Sequence, residues 1–535
     1  MKQETENQIE SAKAVETHGR KNIVWGTLLG YLGLALSVVS GLLYTPWIIS
    51  QIGSSSYGLY ILCNALISLF LLDFGLGMTI NAFLAKYKAA GDTAKIQHFL
   101  GLVTKLYLII DLVILIAFVT VYFLIDNIYV GLSQVERDSF KNVFLIAASF
   151  SIIAFPCSVI DGVISSYEEF VAIKIIDVSV KVLYIAFTAL AISLGWGLIG
   201  LISVNSLTNL LGIIARFCIM HFKLKVRADF KSRPENCEIK TILFYSAWAA
   251  VVAISARLVF NVTPSILGIM SDSSNIATFG IVASLESYVY MFGAVMSGFF
   301  LPKISRINNS AKDNTERNAK INALALKVGR VQIFILLLVE VGFICCGKEF
   351  LELWLRNSDK GINLNDAYIG TLIIILYQLI FVPQLVYYTA MYANGYVKHL
   401  AVATLTKAVV NVSLSFLFSH FFGALGACIA IACGRVFELV IENYFYAKKL
   451  GANLPNFFLG VYPKNLIPAL IALGIGLTLH FVLPVSAIYR FLIIGCSVVV
   501  IYLSLAPFCC FSKEEREKIV SSIKRKLHLT KTNNC

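Results

Sequence analysis

The side chains able to do chemistry in this sequence are charged groups set inside long apolar runs. Burying a charge in hydrocarbon is costly, so each such group marks a binding site, a proton path or a paired brace. Arg257 sits about 15 residues into the run Ile242–Met270, too deep to reach an interface by stretching. A guanidinium matches phosphate oxygens through a two-pronged fork, which makes Arg257 the leading candidate for holding a phosphate-bearing ligand. A structural partner competes for it. Glu286 lies at equal depth beyond the turn at Ser271–Asp272, where an antiparallel hairpin would bring the two together. Lys181 follows Asp177 by one helical turn, which permits an internal ion pair or a cavity-lining cation. Lys407 has no acid nearby in sequence and is a further cavity candidate. Arg216 lies near the end of its run, where it either lines a cavity or extends to the interface. Arg435, Glu438 and Glu442 share one helical face, to line a cavity or to neutralise one another. Asp73 and Lys105 fall at matching depth on consecutive runs and are expected as a structural or gating ion pair. Asp111 and Glu340 lack a local partner in sequence and are candidates for taking up a proton.

These groups need a scaffold of helices crossing a bilayer. The chain has 535 residues, 58% hydrophobic and 14% charged, with apolar runs of about 20 residues recurring along it. That composition predicts an all-α polytopic membrane protein. A β-barrel is excluded, since its strands alternate and need only about 10 residues each. Fourteen spans are expected. Six are approximately Val24–Ser50, Tyr57–Leu84, Phe99–Ile125, Val143–Ile164, Ile175–Leu194 and Leu198–Phe222. Six more are Ile242–Met270, Ile276–Leu301, Ala323–Cys346, Tyr368–Tyr392, Leu400–Phe421 and Leu425–Tyr446, followed by Leu466–Leu483 and Ile488–Phe508. The first span is too long for a cleavable signal peptide. Lys and Arg concentrate in the loops on one side, which predicts both termini in the cytoplasm. The net charge of +13 follows from those loops and does not call for nucleic acid. Ile519, Ile523 and Leu527 give the basic tail an apolar stripe suited to lying on the inner leaflet.

The chain carries a weak internal repeat. Tyr57-Gly58-Leu59-Tyr60 resembles Phe279-Gly280-Ile281-Val282, and Phe83-Leu84-Ala85-Lys86 resembles Phe300-Leu301-Pro302-Lys303. The offsets, 222 and 217 residues, nearly agree. The expected organisation is a cytoplasmic tail (1–22), an N-lobe of six spans (23–222), a basic inter-lobe loop (223–240) and a C-lobe of six spans (241–447). Two added spans (464–510) and a basic tail (511–535) complete it. Two lobes in the same orientation would enclose a substrate site between them. Pro46, Pro156, Pro264 and Pro383 fall within spans, where they can kink the helix, although proline is also an ordinary residue of membrane helices.

Tyr57-Gly58-Leu59-Tyr60, Leu72-Asp73-Phe74-Gly75-Leu76-Gly77, Lys86-Tyr87 and Gly91-Asp92 resemble the N-terminal signature of polysaccharide biosynthesis transporters. These are the Wzx-type O-antigen flippases of the multidrug/oligosaccharidyl-lipid/polysaccharide (MOP) superfamily. Leu301-Pro302-Lys303-Ile304-Ser305-Arg306 is similar to that family's eighth-span end. The resemblance implies an inner-membrane flippase, working by alternating access, that moves undecaprenyl-pyrophosphate-linked oligosaccharide repeat units for O-antigen or capsule assembly. Implied partners are that lipid-linked substrate, membrane lipids, a polysaccharide polymerase and a chain-length regulator. The physics agrees: the lipid tail can stay in the bilayer, but the charged head group needs a hydrated, preferably cationic, passage. Three other readings stand beside it. A MATE-type drug/cation antiporter would be expected to bury an acid in the first or seventh span, and neither run holds one. A glycan polymerase or ligase would be expected to carry a large outer loop. A lipid II flippase is compatible with the span count. No Walker loop, nucleophile elbow or HExxH motif points to an enzyme, no cofactor or metal is called for, and the 12 cysteines lack metal-ligand spacing.

Overall fold

The structure is a computed structural model that describes residues 32–71, 77, 80, 83–84, 87–88, 91–229, 236–294, 300–356 and 361–509. The N-terminal tail, Asp73, part of the basic 223–240 loop and the C-terminal tail lie outside the described residues. The described residues form helices joined by short turns, with no strand among them. Among the described residues, eleven helices are long and apolar enough to cross a membrane.

The first half comprises α1 (Leu32–Ile52), α2 (Ser54–Phe70), α3 (Thr93–Ile128), α4 (Gln134–Ser166), α5 (Phe170–Ser193) and α6 (Gly197–Lys223). Then come α7 (Asn236–Phe260), α8 (Thr263–Met270), α9 (Ser273–Ala294) and α10 (Phe300–Ser310). The remainder is α11 (Asn314–Trp354), α12 (Leu364–Ala393), α13 (Val397–Leu450), α14 (Leu454–Val461), α15 (Pro463–Val482) and α16 (Ala487–Cys509). α13 carries the eleventh and twelfth expected spans and reverses at Gly423 (φ +52°, ψ −129°), a conformation that favours glycine. Each of the fourteen expected spans therefore has a helix among the described residues.

Local chemistry explains where the helices start and break. Asp92 caps α3 by accepting from the Lys95 amide at 3.0 Å, and the neighbouring Lys95 ammonium holds its carboxyl below the usual range. Ser133 and Glu136 form a reciprocal capping box at the start of α4. Pro156 sits in a tight 3₁₀ turn inside α4, Pro264 just after the α7–α8 break, and Pro383 in a 3₁₀ turn inside α12. In each case the ring removes a helical donor and crowds the preceding turn. α1 runs through Pro46 without interruption.

Helix faces sort by solvent. On α3, Phe99, Val103, Tyr107, Ile114 and Phe118 are buried, whereas Ile109, Leu112, Val113 and Ile116 on another side are exposed. An exposed stripe of large apolar residues suits hydrocarbon and would be unfavourable in water.

The described residues fall into two compact units. The first comprises the described parts of Met1–Ile281, Asn357–Asn363 and Thr404–Gly434. In it α2 packs on α4, α6, α7 and α8, and α5 packs on α6. A side-chain carbon at Gly58 of α2 would lie 2.1 Å from the Ser273 carbonyl of α9, so these helices cross with main chain against main chain. Gly280, the repeat equivalent of Gly58, faces Ile61 of α2 at the same crossing. The second unit comprises the described parts of Val282–Arg356, Leu364–Ala403 and Arg435–Cys535. There α15 and α16 pair with each other, and both pack on α11. Glu349 of α11, 4% exposed, meets His480 of α15 at 3.2 Å and Arg490 of α16 at 3.5 Å.

Candidate functional site

A cavity of about 370 Å³ opens in the first unit between α2, α4 and α6. Each helix presents one periodic face to it. From α2 come Asn64 and Ser68, one turn apart; from α6 come Asn205, Asn209 and Arg216; from α4 come Phe150, Ser151 and Asp161. The 3₁₀ turn at Pro156 lets α4 keep facing the cavity on both sides of its break, since Ser151, Cys157 and Asp161 all line it.

The cavity floor is a chain of neutral amides. Asn205 donates to the Asn64 side-chain oxygen at 3.2 Å, joining α6 to α2. Asn64 donates to the Tyr60 carbonyl at 2.8 Å, and Asn209 donates to the Asn205 carbonyl at 2.9 Å. At the other end, Arg216 lies 3.2 Å from Asp161 and 2.7 Å from Asp177. Asp177 also accepts from Lys174 at 3.1 Å. The guanidinium is thus balanced by two carboxylates.

The sequence-derived candidates separate in this arrangement. Arg216 lines the cavity, but its charge is taken up by Asp161 and Asp177, in place of reaching for an interface. Asp177 is in an ion-pair network, although its partners are Lys174 and Arg216; the expected pairing with Lys181 gives way because the α6 guanidinium reaches the same carboxylate. Lys181 is half-buried on α5 and makes no hydrogen bond or ion pair among the described residues. Arg257 of α7 is exposed, and its guanidinium donates to the Ser68 carbonyl at 3.4 Å, next to a cavity-lining side chain. Glu286, the expected hairpin partner of Arg257, accepts a hydrogen bond from Gln378 in the second unit. Lys105 is half-buried on α3, and its expected partner Asp73 lies outside the described residues.

Lys407 is 4% exposed on α13 within the first unit, one turn before Asn411, which donates to the Val259 carbonyl at 3.3 Å. In the second unit Arg435 bonds Glu438 at 2.9 Å and stacks over the Tyr377 ring at 4.4 Å, and Tyr446 donates to Glu442 at 3.1 Å. Arg435 and Glu438 thus form an ion pair, while Glu442 accepts from the Tyr446 hydroxyl. Asp111 on α3 and Glu340 on α11 are 8% and 3% exposed, with no hydrogen bond or ion pair among the described residues. Among the described residues no group of His, Cys, Asp and Glu has the arrangement of a metal site.

A reading of charges within spans passes over the neutral Asn64, Asn205 and Asn209, and it also leaves out Asp161, although that carboxylate lies inside the expected span Val143–Ile164. The signal that finds them is polar spacing: Asn205 and Asn209 stand one turn apart in an otherwise apolar helix, and amides inside a membrane need partners as charges do.

No family model matches the sequence, and no curated protein matches it. Solved structures do, with 27 chains matching. One is "Lipid II flippase MurJ, inward closed conformation", with a TM-score of 0.69 and 14% identity over 91% of this chain and 98% of that one. A second is an inward-facing multidrug resistance MATE family transporter of the MOP superfamily, with a TM-score of 0.61 and 14% identity over 77% of this chain and 94% of that one. A third is a MOP superfamily transporter from Pyrococcus furiosus described as having reversed polarity of its binding pocket, with a TM-score of 0.55 and 14% identity over 81% and 96%. At that identity the likeness shows the fold, a multi-pass helical membrane fold shared with transporters of the MOP superfamily.

Proposed function

We propose that this chain is a flippase for lipid-linked oligosaccharide, moving an undecaprenyl-pyrophosphate-linked repeat unit across a bacterial inner membrane by alternating access of two six-helix lobes. Both termini are cytoplasmic in this reading, and the cargo feeds a polysaccharide polymerase and its chain-length regulator. The observation that carries it is a polar cavity of sugar-sized volume inside a lipid-facing helical unit, with the exposed guanidinium of Arg257 hydrogen-bonded to a residue of its wall. A polar head group needs such a hydrated route, while a polyprenyl tail needs only the apolar outer surface. Arg257 is assigned to the pyrophosphate because its charge has no carboxylate partner among the hydrogen bonds and ion pairs of the described residues. Lys181 and the buried Lys407 are secondary cationic contacts. Asp111 and Glu340 are assigned to proton coupling, since each is a carboxyl buried in a span with no hydrogen bond or ion pair among the described residues.

Deletion of the gene tests the reading. The expected result is undecaprenyl-linked repeat units stranded on the cytoplasmic face and loss of surface glycan. Stranded lipid II with intact surface polysaccharide would identify a lipid II flippase. Lost drug resistance with both glycans intact would identify a MATE-type antiporter. Within the site, Arg257→Ala is expected to abolish export while the protein still inserts at wild-type level, and wild-type export from that variant would remove Arg257 from the substrate path.

A further inference from the structure

We propose that the cavity between α2, α4 and α6 is a subsite for the uncharged sugar of the cargo, separate from the cation that holds its phosphate. This rests on the flippase reading. Three observations support it.

The first is open hydrogen-bonding capacity. Ser149, Ser166 and Ser193 elsewhere on α4 and α5 each donate to a carbonyl of the preceding turn, at 2.8, 2.7 and 2.8 Å. That is how a helical serine in hydrocarbon satisfies itself. Ser68, Ser151, Ser158 and Ser206 line the cavity instead, and their hydroxyls make no hydrogen bond among the described residues. A wall of unused hydroxyls beside the Asn205–Asn209 amides both donates and accepts, which matches a polyol.

The second is charge. A phosphate entering this space would meet Asp161, whose side chain is 54% exposed, and would find Arg216 already balanced by two carboxylates. Sugar hydroxyls have no such conflict. They donate to the Asp161 carboxylate and to amide oxygens, and accept from amide N–H groups.

The third is size and shape. A volume of about 370 Å³ lies in the range of small-ligand clefts, about 300–1,000 Å³, and takes a sugar ring or two, not a polyprenyl chain. Phe150 adds an apolar face for the C–H side of a ring.

The test reconstitutes the full chain in liposomes and compares two probes: undecaprenyl pyrophosphate, and the same lipid carrying a disaccharide. Asn205→Ala/Asn209→Ala removes the amide wall. Because Asn205 also joins α6 to α2, a second variant, Ser151→Ala/Ser206→Ala, removes hydroxyls that make no hydrogen bond among the described residues. The subsite predicts that the disaccharide lipid slows about tenfold more than the bare lipid in the amide variant, and about threefold more in the serine variant. Equal slowing of both probes, or no slowing of either, overturns the subsite and leaves the flippase reading standing. A wild-type protein that moves neither probe overturns the flippase reading and the subsite with it.

Discussion

The two units handle polar groups in opposite ways. In the first, Asn64, Asn205, Asn209 and four serines face an open cavity, and Asp161 is more than half exposed. In the second, Glu438 and Glu442 are 1% and 0% exposed, Gln378 is 1% exposed, and each bonds a neighbour on the same or an adjacent helix. Charged residues of the same kinds therefore do different jobs. A guanidinium sealed against a carboxylate and a tyrosine ring is a brace, because removing one member strands the other away from water. A guanidinium bordering a cavity can exchange partners with a ligand, because solvent or cargo can replace what is lost.

That contrast can be broken by measurement. The largest effect is expected from Arg435→Ala, which removes the guanidinium that the buried Glu438 bonds at 2.9 Å and should cost about 3–5 kcal/mol, read as a lowered melting temperature and poor yield in detergent. A melting curve equal to wild type would show that the second unit's cluster is no brace. Gly58→Ala comes next. Its new carbon would lie 2.1 Å from the Ser273 carbonyl, a main-chain atom that cannot swing aside, and should cost about 1–3 kcal/mol. Arg216→Ala should cost least, about 1 kcal/mol or less, because Asp161 and Asp177 have 54% and 35% exposed side chains and Asp177 keeps Lys174. A loss from Arg216→Ala as large as that from Arg435→Ala would erase the distinction between open and sealed clusters.

Much of the scaffold was legible in the chain. Runs of apolar residues located a helix for each expected span, and Pro156, Pro264 and Pro383 marked three helix interruptions, because a ring without a donor weakens the helix at that turn. The paired motifs at Tyr57-Gly58 and Phe279-Gly280 pointed to equivalent helices, and both glycines fall at the α2–α9 crossing. Side-chain partnership was less legible. Lys181 stands one turn from Asp177, as a local pair should, yet that carboxylate bonds Arg216, 39 residues away. Pro46 shows the limit of a local rule, since α1 continues through it.

Helical spans, their breaks and the presence of buried charge follow from hydrophobicity and backbone geometry, both of which act over a few neighbouring residues. Which charges cancel and which amides face a shared cavity depends on the azimuth of each helix against its neighbours. Packing sets that angle: at Asn64 and Asn205 it brings residues 141 apart in the chain to 3.2 Å, and no spacing along either helix encodes it.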